Sequence, residues 1–135
     1  MKKNFWLNKR VIITGHTGFV GAWLTNLLIT EKCKIFGISL PIKKDENRLF
    51  LKSNIKTKIK NFFFDLRDER RLNKTINHIK PDIMIHLAAQ SIVSLGYAIP
   101  NETFETNAQV TSSILNCLKE NKKIKSILIF TTDKV

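Results

Sequence analysis

Between residues 10 and 130, short apolar runs alternate with segments whose apolar residues recur every three or four positions. Arg10-Val11-Ile12-Ile13-Thr14 reads as a first buried strand. A glycine-rich turn follows, and Val20, Trp23, Leu24, Leu27 and Leu28 then fall at helical spacing. Residues 34–38 form a second strand. Residues 41–58 are polar with weak periodicity, which predicts a loop holding a short helix around Asn47 to Leu51. Residues 61–64, with three phenylalanines, are a third strand. Asp68 stands before a helix whose apolar face is Leu72, Ile76 and Ile79, and Pro81 closes it. Residues 82–87 are a fourth strand. One long helix follows, with Phe104, Thr111, Ile114, Leu115 and Leu118 on one face, and residues 126–130 are a fifth strand.

Strands that are apolar throughout, separated by helices, imply a parallel sheet covered on both faces. Right-handed crossovers make it an α/β, doubly wound parallel sheet of the Rossmann kind, with strand order 3-2-1-4-5. A ligand crevice belongs where strands 1 and 4 diverge. Residues 1–135 read as one domain.

The turn Gly15-His16-Thr17-Gly18-Phe19-Val20-Gly21 lies between a strand and a helix, as a dinucleotide phosphate loop requires. Gly15 permits a tight turn, Gly18 lets backbone approach a pyrophosphate, and Gly21 lets the helix pack closely on the sheet. The helix N-terminus then offers N–H groups and a positive dipole end to the phosphates. An acidic residue usually ends strand 2 to hold the adenine ribose. Here that place holds Ser39-Leu40-Pro41, with Asp45, Lys43 and Lys44 in the loop beyond, so the choice between NAD and NADP stays open.

The net charge of +12 raises the question of nucleic acid. The lysines gather at helix ends and in the 41–58 loop, with no basic helix and no aromatic–basic platform, so solvated faces are expected rather than a nucleic-acid partner. A small anionic ligand gains from such a field. No apolar run approaches a membrane span, and the basic start lacks the apolar stretch of a signal peptide. Cys33 and Cys117 are isolated in apparent helices and read as reduced thiols. These features point to the cytoplasm. His16, His78 and His86 have no metal-ligand spacing, so no metal site is expected. His16 reads as positional, His86 as buried and hydrogen-bonded, and His78 as a helix-face residue.

Further segments resemble one family. Asp65-Leu66-Arg67-Asp68 resembles the adenine-contacting D-x-R-D stretch of extended short-chain dehydrogenases. Leu87-Ala88-Ala89-Gln90-Ser91 resembles their A-A-Q/E-S segment, which lines the pyrophosphate and nicotinamide ribose. Thr131-Thr132-Asp133-Lys134 resembles the T-S-D-K segment of CDP-glucose 4,6-dehydratases. Phe5-Trp6 and Gly15-His16-Thr17-Gly18-Phe19 are also similar to that family, and the likeness covers essentially the whole chain.

The resemblance implies an NAD cofactor held by Gly15, Thr17, Gly18, Phe19, Val20, Gly21, Ser39, Asp65, Leu66, Leu87, Ala88, Ala89, Gln90 and Thr131. It implies a nucleotide-sugar substrate, CDP-glucose, met by Gln90 and Ser91, and a homo-oligomeric full-length enzyme. The reaction implied passes a hydride from sugar C4 through NAD to C6, with water lost across C5–C6. Thr132 would hydrogen-bond the C4 oxygen and Asp133 would protonate the leaving hydroxyl. Lys134 would act as base at C5 or stabilise enolate charge. Asn107 matches a family asparagine that bonds backbone near the active site.

The sequence also departs from the pattern. Ser94 stands where the family often has Arg, and Val20 where it often has Lys. Tyr97 has no Lys four residues on, so it is not the family's Tyr-x-x-x-Lys base and is expected as a wall residue near the crevice. That pair and the substrate domain are expected beyond residue 135, which truncates the fold after strand 5 and leaves the fragment alone inactive. Two alternatives remain: another extended short-chain epimerase or reductase, and a non-catalytic NAD-binding fragment.

Overall fold

The computed structural model describes residues 5–42 and 48–131. Its sheet has five parallel strands: β1 (Arg10–Thr14), β2 (Lys34–Ser39), β3 (Lys60–Phe63), β4 (Ile83–His86) and β5 (Ser126–Ile129). Their order is β3-β2-β1-β4-β5. The chain moves outward from β1 to β3, then crosses back to place β4 against the other side of β1. In register, Thr14 lies beside both Ile38 and His86, so the carboxyl ends of the three central strands finish level.

Side-chain alternation along the strands feeds two cores. Ile12, Phe36, Ile38 and Met84 pack with Leu72, Ile76 and Ile79 of α4 (Glu69–Ile79) and with Val110, Ile114 and Leu118 of α7 (Val110–Lys119). The opposite face, with Val11, Ile13, Ile35, Ile83 and Ile85, packs against Leu28 of α1 (Phe19–Thr30). The Asp68 carboxylate caps α4 by accepting from the Arg71 amide, an interaction worth about 1 kcal/mol. Left-handed Lys80 ends the helix one residue before Pro81.

Several expectations are corrected. Only part of the apolar stripe expected on α1 is buried: Leu28 is, and Leu24 packs half-buried against the same core, but the rest is not. Trp23 is 55% and Leu27 60% exposed, while Gly21, Ala22, Thr25 and Leu28 point inward. A helix that must lie close to the sheet beneath a glycine turn buries its small residues, which rotates the large ones outward. The 41–58 segment holds two short helices rather than one, α2 (Arg48–Lys52) and α3 (Ile55–Lys58). Each is fixed by a fully buried side chain, Phe50 and Ile55, which cluster with Ala22.

The expected long helix after β4 is broken into α5 (Val93–Ala98), α6 (Pro100–Phe104), a π turn (Glu105–Gln109) and α7. The backbone N–H of Val110 bonds the Glu105 carbonyl five residues back, and this extra residue resets the helix phase. Phe104, ahead of the π turn, is therefore exposed; within α7 Ile114 and Leu118 are buried as expected, together with Val110, and Leu115 lies at the edge of that stripe, 41% exposed. Among the described residues β5 pairs only with β4, and its Ile127 and Leu128 are exposed, so they leave this strand uncovered on one side. Cys33 lies between α1 and β2 rather than in a helix. Both thiols are free and half-buried, with burial pushing their pKa values up. Among the described residues no helix is long and apolar enough to cross a membrane.

The buried stripe of α7 has a measurable consequence. Ile114→Ala is expected to cost about 2–5 kcal/mol by urea denaturation. Leu115→Ala should stay within about 0.5 kcal/mol of the parent.

Candidate functional site

The three turn glycines do different work. Gly15 has φ +70°, and a Cβ on it would lie 2.9 Å from the Ala88 amide nitrogen. Gly21 is more confined still, since a Cβ there would lie 2.1 Å from the Gly15 carbonyl oxygen. Gly18 is exposed, and its closest obstacle is that same oxygen at 3.3 Å. Gly15 and Gly21 therefore close the turn on itself, while Gly18 leaves its outer side open. Gly18 is also the N-cap of α1, with no side-chain cap and no acidic residue in the first turn. That helix end keeps its positive pole for an outside anion.

His16 anchors the turn from below. It is fully buried, and its Nε2 lies 2.9 Å from Asn61 Oδ1. Its ring packs edge-on against Phe50, and Nδ1 is buried without a partner. Room for the ring comes from Gly37 in β2, where a Cβ would sit 2.4 Å from the imidazole carbons. Burial lowers the His16 pKa, which keeps the ring neutral.

At the end of β4 the backbone turns over Thr14. The amides of Leu87 and Ala88 donate to Thr14 Oγ1 at 3.1 and 3.2 Å. His86 lies between hydroxyls, with Nδ1 2.6 Å from Thr14 Oγ1 and Nε2 3.1 Å from Thr111 Oγ1. Burial drops its pKa to about 4. Asn107, inside the π turn, accepts from the Gln90 amide at 2.8 Å and donates to the Gln90 carbonyl at 3.0 Å. The Gln90 side chain is committed locally: Oε1 accepts from the Ile92 amide, and Nε2 donates to the Ile92 carbonyl and to Thr103.

At the end of β3, Asp65 accepts from Arg67 through the backbone amide and the guanidinium, which holds its carboxyl below the usual range. Arg67 also reaches Glu102 at 3.0 Å and Glu105 at 3.6 Å, tying the β3 loop to α6 and the π turn.

Residues 12–135 match the GDP-mannose 4,6 dehydratase family. The chain belongs to that family. It is 37% identical over 132 residues to a CDP-glucose 4,6-dehydratase of Salmonella typhimurium, covering 98% of this chain and 36% of the relative. An epimerase, Mth375, of Methanothermobacter thermautotrophicus has the same fold. It aligns with a TM-score of 0.83 at 18% identity, over 97% of this chain and 37% of that one. A UDP-glucose 4-epimerase of Bifidobacterium longum, solved with NAD+ and UDP, aligns with a TM-score of 0.77 at 20% identity, over 92% and 37%. The chain thus spans about a third of the length of these dehydratase and epimerase relatives.

Within this dehydratase-family fold, most of the residues expected at the site lie on loops that leave the carboxyl ends of the strands. Thr17 is buried in the turn, while Phe19 and Val20 are exposed on the first turn of α1. Ser39 ends β2, with its hydroxyl donating to the Leu40 carbonyl. Leu66 is buried in the core, so only its backbone is available to a ligand. Leu87 and Ala88 are half-buried, and Ala89, Ser91 and Thr131 are exposed. Thr132, Asp133 and Lys134 lie outside the described residues, as do Lys43, Lys44 and Asp45. Tyr97 is 86% exposed on α5.

A cavity of about 530 Å³ lies elsewhere, between β3 and α4, lined by Phe62, Arg71, Lys74 and His78 among others. Arg71 of α4 stacks over Phe64, the residue after β3, at 4.8 Å. Among the described residues no group of His, Cys, Asp and Glu gathers as a metal site. Sequence reasoning assigned no site role to Thr14 or Thr111, and placed Arg67 in the adenine-contacting stretch but not as a tie to Glu102 and Glu105. The only signals available were a threonine closing β1 and an Arg set among acids that lie far apart in sequence.

His86 sets a pH dependence. Its folded pKa, about 4, lies below the ordinary value of 6.5, so the unfolded chain takes up the proton first as pH falls. Stability from this group is whole above pH 6.5 and is lost between 6.5 and about 4. The loss should approach about 3 kcal/mol, read as falling urea midpoints across that window.

Proposed function

We propose that this chain is the NAD-binding part of a nucleotide-sugar 4,6-dehydratase that acts on CDP-glucose. The observation that carries the reading is the N-terminus of α1: begun by an N-cap glycine with no side chain, free of acids in its first turn, and open on the outer side of Gly18. A pyrophosphate fits there, because its charge meets the helix dipole and no Cβ intrudes. Gly15, Thr17, Phe19, Val20 and Gly21 would complete that cradle. Ser39, Asp65 and the Leu66 backbone would hold the adenosine side, with Leu87, Ala88, Ala89, Gln90 and Thr131 on the nicotinamide side. The relative that is 37% identical supports CDP-glucose as the substrate.

When bound, NAD would supply a hydride acceptor for sugar C4 and a donor for C6. The residues of the chain would manage the protons and the binding. Gln90 and Ser91 would line the sugar. Thr132 would donate a hydrogen bond to the C4 oxygen as it becomes a ketone. Asp133 would protonate the departing C6 hydroxyl so that it leaves as water. Lys134 would either take the C5 proton in its neutral form or hold enolate charge as a cation.

Calorimetry on this chain tests the cradle. NAD should bind, and Gly18→Val should weaken binding at least about tenfold without loss of fold, since its backbone is extended and one contact is tight. Gly21→Ala should instead lower the melting temperature, at a cost of about 1–3 kcal/mol or more, because backbone blocks its Cβ. Equal NAD affinity in Gly18→Val and the parent would remove the assignment.

Chemistry needs a protein that carries this chain together with a Tyr-x-x-x-Lys pair. In it, Asp133→Asn should slow formation of the 4-keto-6-deoxy product by about 10²–10⁴. NAD affinity should not change. Full turnover by that variant, or epimerisation of UDP-glucose in place of dehydration of CDP-glucose, would sink this reading.

A further inference from the structure

The hydrogen bonds at the end of β4 form a chain whose direction follows atom by atom. Thr14 Oγ1 accepts two amide protons, from Leu87 and Ala88. A hydroxyl has two lone pairs and one proton, so that proton must go to its third neighbour, His86 Nδ1 at 2.6 Å. Nδ1 is then the bare nitrogen, and a neutral ring carries its hydrogen on Nε2. Nε2–H points to Thr111 Oγ1 at 3.1 Å. The Thr111 hydroxyl passes its own proton to the Asn107 carbonyl at 2.8 Å. The Leu87 amide is shared with the Thr14 carbonyl at 3.3 Å, the hydroxyl being its nearer acceptor, and the sequence of bonds holds while both backbone amides point at Thr14 Oγ1.

The receiving end is close to the glycine turn. The Ala88 backbone lies against Gly15, where a Cβ on Gly15 would meet the Ala88 nitrogen at 2.9 Å. Residues 87–90 are thus held twice: by Thr14 at Leu87 and Ala88, and by Asn107 at Gln90. Asn107 and Thr111 are four residues apart, one in the π turn and the other at the start of α7, so one helix supports both holds. Burial favours the neutral ring that this requires.

We propose that Thr111 is a positioning residue acting through His86: by accepting from Nε2 it keeps Nδ1 as the acceptor toward Thr14, and so holds residues 87–90 against the glycine turn. With no acceptor at 111, the ring gains from moving its hydrogen to Nδ1. It would then donate to Thr14 Oγ1 and compete with the two amides for the same lone pairs. The bearing of this chain on cofactor affinity rests on the NAD reading above, whereas the hydrogen-bond order does not.

Nitrogen NMR of the His86 imidazole in the unsubstituted chain tests the order directly. The hydrogen should reside on Nε2, and a hydrogen on Nδ1 would overturn the proposal whether or not any variant folds. Thr111→Val removes the acceptor at nearly constant shape, and Thr111→Ser restores it. The Val variant should shift the ring toward the Nδ1–H form and speed amide exchange at Leu87 and Ala88 by about tenfold or more. The Ser variant should return both to the parent values. NAD affinity, by calorimetry, should fall and recover in step. Unchanged tautomer and exchange in a folded Val variant would overturn the role of Thr111. Changed exchange in a set of proteins that bind no NAD would leave the positioning role standing and remove the dinucleotide reading instead.

Discussion

A missing side chain at residue 21 lets the first helix come down onto the turn that precedes it. The position a Cβ would take there is 2.1 Å from the Gly15 carbonyl oxygen, a distance no real atom pair holds. That contact sets how low α1 sits on the sheet, and much follows from it. Beside that contact α1 buries small residues, Ala22 against Phe50 and Ile55 and Thr25 with its hydroxyl on the Gly21 carbonyl, while Trp23 stays exposed and the larger Leu28 reaches the sheet further along the helix. The helix end must open beside Gly18, an N-cap residue with no side chain to cover it. The turn also presses back on Ala88, so the loop after β4 is held by the same constraint.

The charge of the chain, +12, is organised more narrowly than its total suggests. The cation most tightly placed near the site, Arg67, is surrounded by Asp65, Glu102 and Glu105 and acts as a tie between two loops. These pairs are exposed, so each adds little stability. Their use is geometric: they join the end of β3 to the segment that carries Asn107. The positive pole offered to a ligand comes instead from backbone, at the N-terminus of α1.

The order of the sheet was legible in the sequence because apolar runs, crossover lengths and the handedness rule leave few alternatives. The α4 stripe of Leu72, Ile76 and Ile79 was legible too, because it is strictly periodic and capped at both ends. Periodicity misled where tertiary constraints outweighed it. On α1 Val20, Trp23 and Leu27 lost to close packing, and after β4 the π turn shifted the phase and left Phe104 exposed. Nothing in the local sequence announces one extra residue in a helical turn. Site residues were legible where a glycine spacing demanded them, and hidden where they act by bonding across the sheet. Thr14 and Thr111 are ordinary threonines until β1, β4 and α7 are brought together around His86.

Gly37 ties the history of one strand to that of the phosphate turn. The imidazole of His16 occupies the space a side chain at 37 would need. Neither position is therefore free to vary alone in both directions. His16 can shrink first and leave a void, but Gly37 cannot enlarge until it has. Any lineage that reaches a larger residue in this strand must pass through the loss of the histidine, so the order of the two substitutions is set by geometry before selection on function acts.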